Sequence, residues 1–340
     1  MKTGKVSGNV LRRSVLRQLH SHNGKIEKSA GIGEDCAFFT PLDASFMDAV
    51  VSCMQEGPVC AANVNATDIG EPVWTMRHLI LRSINNLAAS GAEPVGITVA
   101  LMLPETAEEE QLKALMQEAD AVCKEQNITI TGGQTRVTKA VSVPFAVITG
   151  YGRVPLAHRQ VETKAKPNQD IVVSKWIGLE GTAYLANRHR DSILKRYPAY
   201  LVEEAEGFEK YLSILPEAAT AHKSGVCAMH DASEGGIFAA LWEMAEKAGV
   251  GLTIDLKKLP LRQETVEVCE HLGVNPYELR SGGCLVMVTE NGEALQQILA
   301  QQGIPSTVIG RTTDSNDRLI LNEDEVRYMD RPKQDSIYTV

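Results

Sequence analysis

The strongest constraint on the fold is an alternation of short apolar strand-like runs with amphipathic helical stretches, repeated in both halves of the chain. Residues 107–124 show the helical pattern best. Leu112, Leu115, Met116, Ala119, Val122 and Cys123 recur at helical spacing and keep one face apolar. Before them, Val50–Cys53 and Val95–Leu103 read as strands, the second stopped by Pro104, with a helix over Thr75–Ala89 between. After them, a short strand Ile128–Thr131 runs into Gly132-Gly133-Gln134-Thr135, read as a loop, and Val143–Gly152 is another strand. A polar stretch, 156–169, reads as a hinge, and the pattern then restarts. Asp170–Ser174 is a strand, Gly178–Gly181 a turn, Thr182–Arg196 a helix, and a helical pair lies around 201–223. A helix ending near Gly249 precedes the strand Gly251–Asp255. Further strands fall at 283–289, 305–310 and 318–321, with helices at 261–272 and 291–302. An opening helix is expected over 8–21. Such alternation favours α/β or α+β layers over an all-helical or all-β design. For 340 residues it implies two domains, 1–153 and 154–340.

Composition excludes several classes of function. Apolar residues make up 44% of the chain, enough for a sizeable core, and aromatics only 5%, so that core rests on aliphatic side chains. A formal charge of −9, without any run of Lys and Arg, argues against nucleic-acid binding. No stretch approaches the roughly 20 apolar residues that span a bilayer, and the N-terminus lacks a signal-peptide pattern. Seven scattered cysteines without a C-x-x-C pair point to reduced thiols and a cytoplasmic protein. The eight histidines show no metal-ligand spacing, and no Ser-His-Asp or Cys-His arrangement is legible, so no catalytic residue is assigned.

Three glycine-lined segments carry the chemistry. Ala30-Gly31-Ile32-Gly33-Glu34-Asp35-Cys36-Ala37, Ile84-Asn85-Asn86-Leu87-Ala88-Ala89-Ser90-Gly91-Ala92 and Thr131-Gly132-Gly133-Gln134-Thr135 each combine small residues with a polar side chain near the end of an element. Glycines there let backbone N–H groups approach an anion, and adjacent carboxylates commonly hold magnesium against phosphates. The alternative for each is an ordinary turn.

Taken with His230-Asp231-Ala232-Ser233-Glu234-Gly235-Gly236 and Ser281-Gly282-Gly283, these segments resemble, in order and spacing, the superfamily of aminoimidazole ribonucleotide (AIR) synthetase, thiamine monophosphate kinase, selenophosphate synthetase and hydrogenase maturation (carbamoyl dehydratase) factor. The maturation-factor branch is the most similar. The matched patterns are G-x-G-D-D-A-A, N-D-[LI]-A-A-x-G-A-x-P, G-G-D-T, H-D-x-[ST]-x-G-G and S-G-G. The resemblance implies an AIR-synthetase-like α/β (α+β) fold. Its N-terminal sheet would pair with a second subunit as a homodimer, and a cleft would bind ATP with magnesium and a small-molecule substrate. It places Gly33, Glu34, Asp35, Asn85, Asn86, Gly132, Gly133, Gln134, Thr135, Asp231, Gly235 and Gly236 in the nucleotide site, with Asp35 as a magnesium ligand; Asp68, between strand and helix, is a candidate replacement for a missing ligand, with a surface or cap role as its alternative. For the 231–236 turn, helix capping is an equal alternative.

Departures from the pattern set the functional alternatives. The N-D carboxylate is Asn86, the G-G-D-T carboxylate is Gln134, and the early strand that ends in Asp elsewhere reads Ser52-Cys53-Met54-Gln55. Three of four expected metal-ligand carboxylates are thus neutral or absent. The maturation factor's C-terminal cysteine has no counterpart in Asp335-Ser336-Ile337-Tyr338-Thr339-Val340, and nothing before Cys36 matches the selenophosphate synthetase nucleophile. Three readings stay open: a divergent ATP-dependent enzyme on a small metabolite, a non-catalytic relative binding a nucleotide or anion without magnesium (with Arg136 as a contact) or serving as a partner subunit, and a dimeric scaffold with a vestigial cleft.

Overall fold

The computed structural model describes residues 26–28, 36–39, 49–61, 69–154, 165–330 and 334–340, together with Asn9 and Arg12. The helix expected over 8–21 and the hinge at 156–169 lie largely outside them. The first sheet contains β1 (Ile26–Lys28), β2 (Ala37–Phe39), β3 (Ala49–Pro58), β4 (Glu93–Leu103), β5 (Thr129–Val137) and β6 (Phe145–Val154), in the order β1-β2-β3-β6-β4-β5. All its pairings are antiparallel except β4 with β5. Helices α1 (Met76–Ala89) and α2 (Glu109–Glu125) serve this sheet. In α2, Leu115, Ala119, Val122 and Cys123 are buried, the i, i+4, i+7, i+8 stripe of an amphipathic helix.

Helix α1 is different. Every one of its 14 residues except Arg77 and Asn86 is buried. A helix buried on nearly all sides belongs between two layers, and α1 packs on the first sheet while its far side meets the second half of the chain. One core joins Leu79, Ile80 and Ile84 of α1 to Leu179, Ala183, Phe208 and Leu212 from that second half.

The second half contains β7 (Asp170–Ser174), β8 (Ala228–Asp231), β9 (Gly251–Asp255), β10 (Leu285–Thr289), β11 (Ser306–Thr313), β12 (Arg318–Asn322) and β13 (Glu325–Tyr328), ordered β13-β12-β9-β11-β7-β10-β8. Its helices are α3 (Leu179–Arg188), α4 (Arg190–Ile193), α5 (Ala199–Glu206), α6 (Leu215–Lys223), α7 (Gly236–Ala248), α8 (Gln263–Leu272) and α9 (Gly292–Gln301). Ile171, Val172 and Val173 are fully buried in the interior strand β7, a continuous apolar run that suits a strand covered on both faces. Phe238, Leu241 and Met244 of α7 pack over one face, and Leu295 and Leu299 of α9 over the other.

Two readings from the sequence need correction. The stretch Gly132-Gly133-Gln134-Thr135 is no loop: it lies inside β5, paired in register with Thr98–Leu101 of β4. A Cβ on Gly133 would sit 1.8 Å from the Val99 carbonyl oxygen, so the glycine serves close strand approach rather than a turn. The predicted turn Gly178–Gly181 is already helical from Leu179, and the helix expected over Thr182–Arg196 breaks at His189 into α3 and α4.

Candidate functional site

A cavity of about 470 Å³ lies where β3 and α1 face the turn between β8 and α7. Asn86 enters it as one of the two α1 residues that are not buried. Its Nδ2 donates to the Cys53 thiol at 3.2 Å, and its backbone carbonyl accepts from the Cys36 thiol at 3.5 Å. Cys36 and Cys53 belong to one small buried cluster with Leu87, Ala92 and Val154. The end of segment 31–37 and the middle of segment 84–92 therefore touch, and the Asn86 amide stands among thiols there, without a carboxylate of its own. Gly33, Glu34, Asp35 and Asp68 lie outside the described residues.

Segment 131–135 does not join them. Gly132, Gly133, Gln134 and Thr135 are exposed on the edge strand β5, and none lines the cavity. Two strands, β6 and β4, separate β5 from β3, roughly 14 Å at usual strand spacing. Asn85 does not line the cavity either. It is buried, its Nδ2 donates to the Leu212 carbonyl at 2.7 Å, and its Oδ1 accepts from the Ile214 N–H at 3.1 Å. Both ends of the amide are spent fastening α1 to the second half of the chain.

Across the cavity stand His230, Asp231, Ser233 and Glu234. His230 and Asp231 are buried at the end of β8, and His230 Nε2 lies 3.3 Å from Glu243 Oε2. The side chains of Asp231 and Ser233 do not cap α7. Gly235, left-handed at φ 81°, is its N-cap, and Gly236 follows at φ 68°, where a Cβ would meet the Tyr277 carbonyl oxygen at 2.6 Å. The Gly235 N–H donates instead to Asp335 Oδ2 at 2.6 Å, and the Arg280 N–H to Asp335 Oδ1 at 3.3 Å. Asp335 is 1% exposed, and burial raises its carboxyl above the usual range despite the nearby Arg280 charge.

Two arginines that sequence reasoning missed dominate the inner wall. Arg82 and Arg280 are each 4% exposed, and their guanidinium carbons lie 3.9 and 5.0 Å from the Trp74 ring centroid. Arg82 Nε donates to Glu180 Oε1 at 2.5 Å, and Arg280 Nη2 to Glu234 Oε2 at 2.9 Å. Burial and the neighbouring Arg280 charge lower the Arg82 pKa to about 10. Burial also opposes the Arg280 charge, but Glu234, Glu180 and Asp335 outweigh it and raise the pKa. Glu180, against the pull of burial, is held below the ordinary carboxylate range by the two arginines. At neutral pH Arg82, Arg280 and Glu180 are therefore all ionised. Arg82 Nη2 and Arg280 Nε are buried without a hydrogen-bond partner. Each unmet buried donor costs about 1–3 kcal/mol. The signal for Arg82 was present in the sequence, since an arginine inside the apolar run Leu79-Ile80-Leu81-Arg82-Ser83-Ile84 demands a partner. Its partner stands 98 residues away.

Among the described residues no group of three or more His, Cys, Asp or Glu side chains is placed to hold a metal ion. No helix among them is long and apolar enough to cross a membrane.

Comparison with known proteins accords with this architecture. The description "AIR synthase related protein, N-terminal domain" matches residues 33–154, and its C-terminal counterpart matches residues 166–322. A Methanocaldococcus jannaschii protein assigned to hydrogenase expression and formation is 28% identical over 70% of this chain and 70% of its own length. The carbamoyl dehydratase HypE of Rhodobacter capsulatus is 29% identical over 67% of each. Among solved structures, HypE in the HypE–HypF complex superposes with a TM-score of 0.70 at 21% identity, covering 95% of this chain and 99% of that one. HypE in complex with ATP gives 0.66 at 18% identity over 99% and 98%. The thiamine monophosphate kinase ThiL, complexed with AMPPCP and TMP, gives 0.68 at 17% identity over 98% and 99%. With both domain descriptions matched in order across most of its length, the chain belongs to the AIR synthase related protein family.

Proposed function

We propose that this protein binds ATP in the cavity between β3–α1 and the β8–α7 turn and uses it to act on a small metabolite. One observation carries the reading: the Asn86 segment and the His230–Gly236 turn, both family motifs, face each other across a single cavity. The structures of HypE with ATP and of ThiL with AMPPCP and TMP, which share this fold, support nucleotide binding. Gly132–Thr135 would reach a nucleotide from a second subunit added at the open edge of β5, which fits a homodimer. Magnesium is the least supported part of the proposal, because Asn86 and Gln134 bring no charge and the early strand Ser52-Cys53-Met54-Gln55 carries no carboxylate. Any ion would be held through Asp35 and the nucleotide phosphates.

A second reading, metal-independent binding of a nucleotide without turnover, is favoured by the commitment of the Asn86 amide to the Cys53 thiol. Isothermal titration calorimetry with ATP, in magnesium and in EDTA, distinguishes the two. The enzyme reading expects saturable binding that weakens at least about tenfold in EDTA, as loss of a bridging divalent ion implies. Equal affinity in both buffers selects the second reading, and no binding in either defeats both.

A further inference from the structure

We propose that Arg82 and Arg280, stacked on Trp74, form an oxyanion site in which the ligand's carboxylate or phosphate group takes the place now held by Glu234, without a metal ion. The inference rests on the cavity being a ligand cleft, but not on the ligand being a nucleotide.

A pure clamp between the halves of the chain would need one cation per carboxylate with every N–H bonded. Here two guanidiniums lie against one indole ring, near enough that the Arg280 charge helps lower the Arg82 pKa. Each keeps a donor that nothing in the protein accepts, Nη2 of Arg82 and Nε of Arg280. Both side chains border the cavity.

The carboxylates around the pair are not equivalent. Glu180 is 2% exposed at its side chain and fixed on Arg82, and Asp335 is held by three backbone N–H groups, of Gly235, Arg280 and Ile337. Glu243, on the rim, faces His230. Glu234 alone of those on the arginine pair is partly open, at 24%, and it accepts from Arg280 Nη2. A guanidinium is built to offer a carboxylate or phosphate two parallel donors. An incoming oxyanion that displaces Glu234 gains the unused Nε of Arg280 as well as Nη2, and it relieves the repulsion between the two cations. Trp74 covers the guanidiniums and keeps water from them, which strengthens their hold on an anion.

The test is calorimetric titration of the full chain, in EDTA and without nucleotide, using inorganic phosphate and malonate as separate probes. Saturable binding of either is expected, and the tighter of the two identifies the ligand end as phosphate or carboxylate. Glu234→Gln, which removes the competing charge while keeping an acceptor, is expected to tighten the bound probe about tenfold, and Arg280→Gln to weaken it by at least that factor. No binding of either probe, or unchanged affinity in Glu234→Gln, overturns the proposal and leaves the arginines as a clamp. Should Arg280→Gln fail to fold, the Glu234→Gln result decides alone. Phosphate or malonate binding with no ATP binding refutes the nucleotide reading and spares this one, and ATP binding without either probe does the reverse.

Discussion

His78, one turn before Arg82 on α1, shows how a single buried ring sets a pH limit on the whole fold. It is 3% exposed, its Nδ1 lies 2.8 Å from the Thr75 hydroxyl, and its Nε2 has no bonded partner, Glu209 standing 3.9 Å away. Burial lowers its pKa from 6.5 to about 4; the Glu180 charge works against this, and the charges of Arg82, Arg280 and Arg77 add to it. The native ring therefore stays neutral while the unfolded ring takes up a proton as pH falls below its ordinary value. Stability is unaffected by His78 above pH 6.5 and declines from there toward pH 4, by a ceiling on the order of 3 kcal/mol. Urea unfolding of the native chain and of His78→Gln at pH 7.5 and pH 4.5 checks this. The difference in stability between the two proteins is expected to shift in favour of the variant at the lower pH, and a pH-independent difference refutes the assignment. At this scale the sequence was only half legible. Arg82 and His78 stood in the sequence as polar residues within an apolar run, a signal that went unread, whereas Glu180, Glu234 and Trp74 are brought to them by tertiary contacts that no local pattern encodes. Asn85 misled for the same reason, since its motif position suggested a ligand contact and its amide instead fastens two backbone groups.

Periodicity served well where an element has one clear environment and badly where it has none. The helix α2 and the strands β7 and β9 were read within about two residues of their observed ends, because a half-buried stripe or a fully apolar run leaves a strong signature. Strand β8 was missed: its four residues, Ala-Met-His-Asp, include a histidine and an aspartate that are buried, contrary to their usual preference. The β5 glycine doublet was taken for a loop because glycine punctuates turns more often than it allows close strand approach. That correction bears on assembly. From Thr131 to Val137 the strand is exposed on both faces at the edge of its sheet, a geometry that invites another strand or sheet. If the homodimer forms there, Gly133→Ala should weaken it, because the added Cβ would collide with the Val99 carbonyl and push β5 off β4. Overpacking of this kind costs about 1–3 kcal/mol, enough to raise the dimer dissociation constant by roughly tenfold in sedimentation equilibrium. A native chain that sediments as a monomer removes the dimer from the proposal, and a variant dimer of undiminished affinity moves the interface elsewhere.

The alternation of elements suggested two domains, and two sheets are present, but the packing makes the molecule more unified than a pair of domains across a cleft. Helix α1 contributes Leu79, Ile80 and Ile84 to a core that includes Phe208 and Leu212, and its last turn places Ala88 and Ala89 in a second core with Val172 and Leu285. Polar bonds run the same way: Arg82 to Glu180, and Asn85 to Leu212 and Ile214, each tie α1 to the second half. Separating the halves would expose apolar surface and strand a buried arginine, so neither half should outlast the other on heating. Scanning calorimetry is expected to give one transition whose calorimetric and van't Hoff enthalpies agree. Glu180→Gln is the sharper probe. It removes the carboxylate that compensates Arg82, and breaking a buried pair by one partner costs about 3–5 kcal/mol. If the halves are welded through α1, that loss lowers the single transition as a unit, because the damaged contact belongs to both cores at once. If the halves are merely adjacent, the variant splits the trace into two peaks, one shifted and one in place, and the account of α1 as a shared helix fails with it.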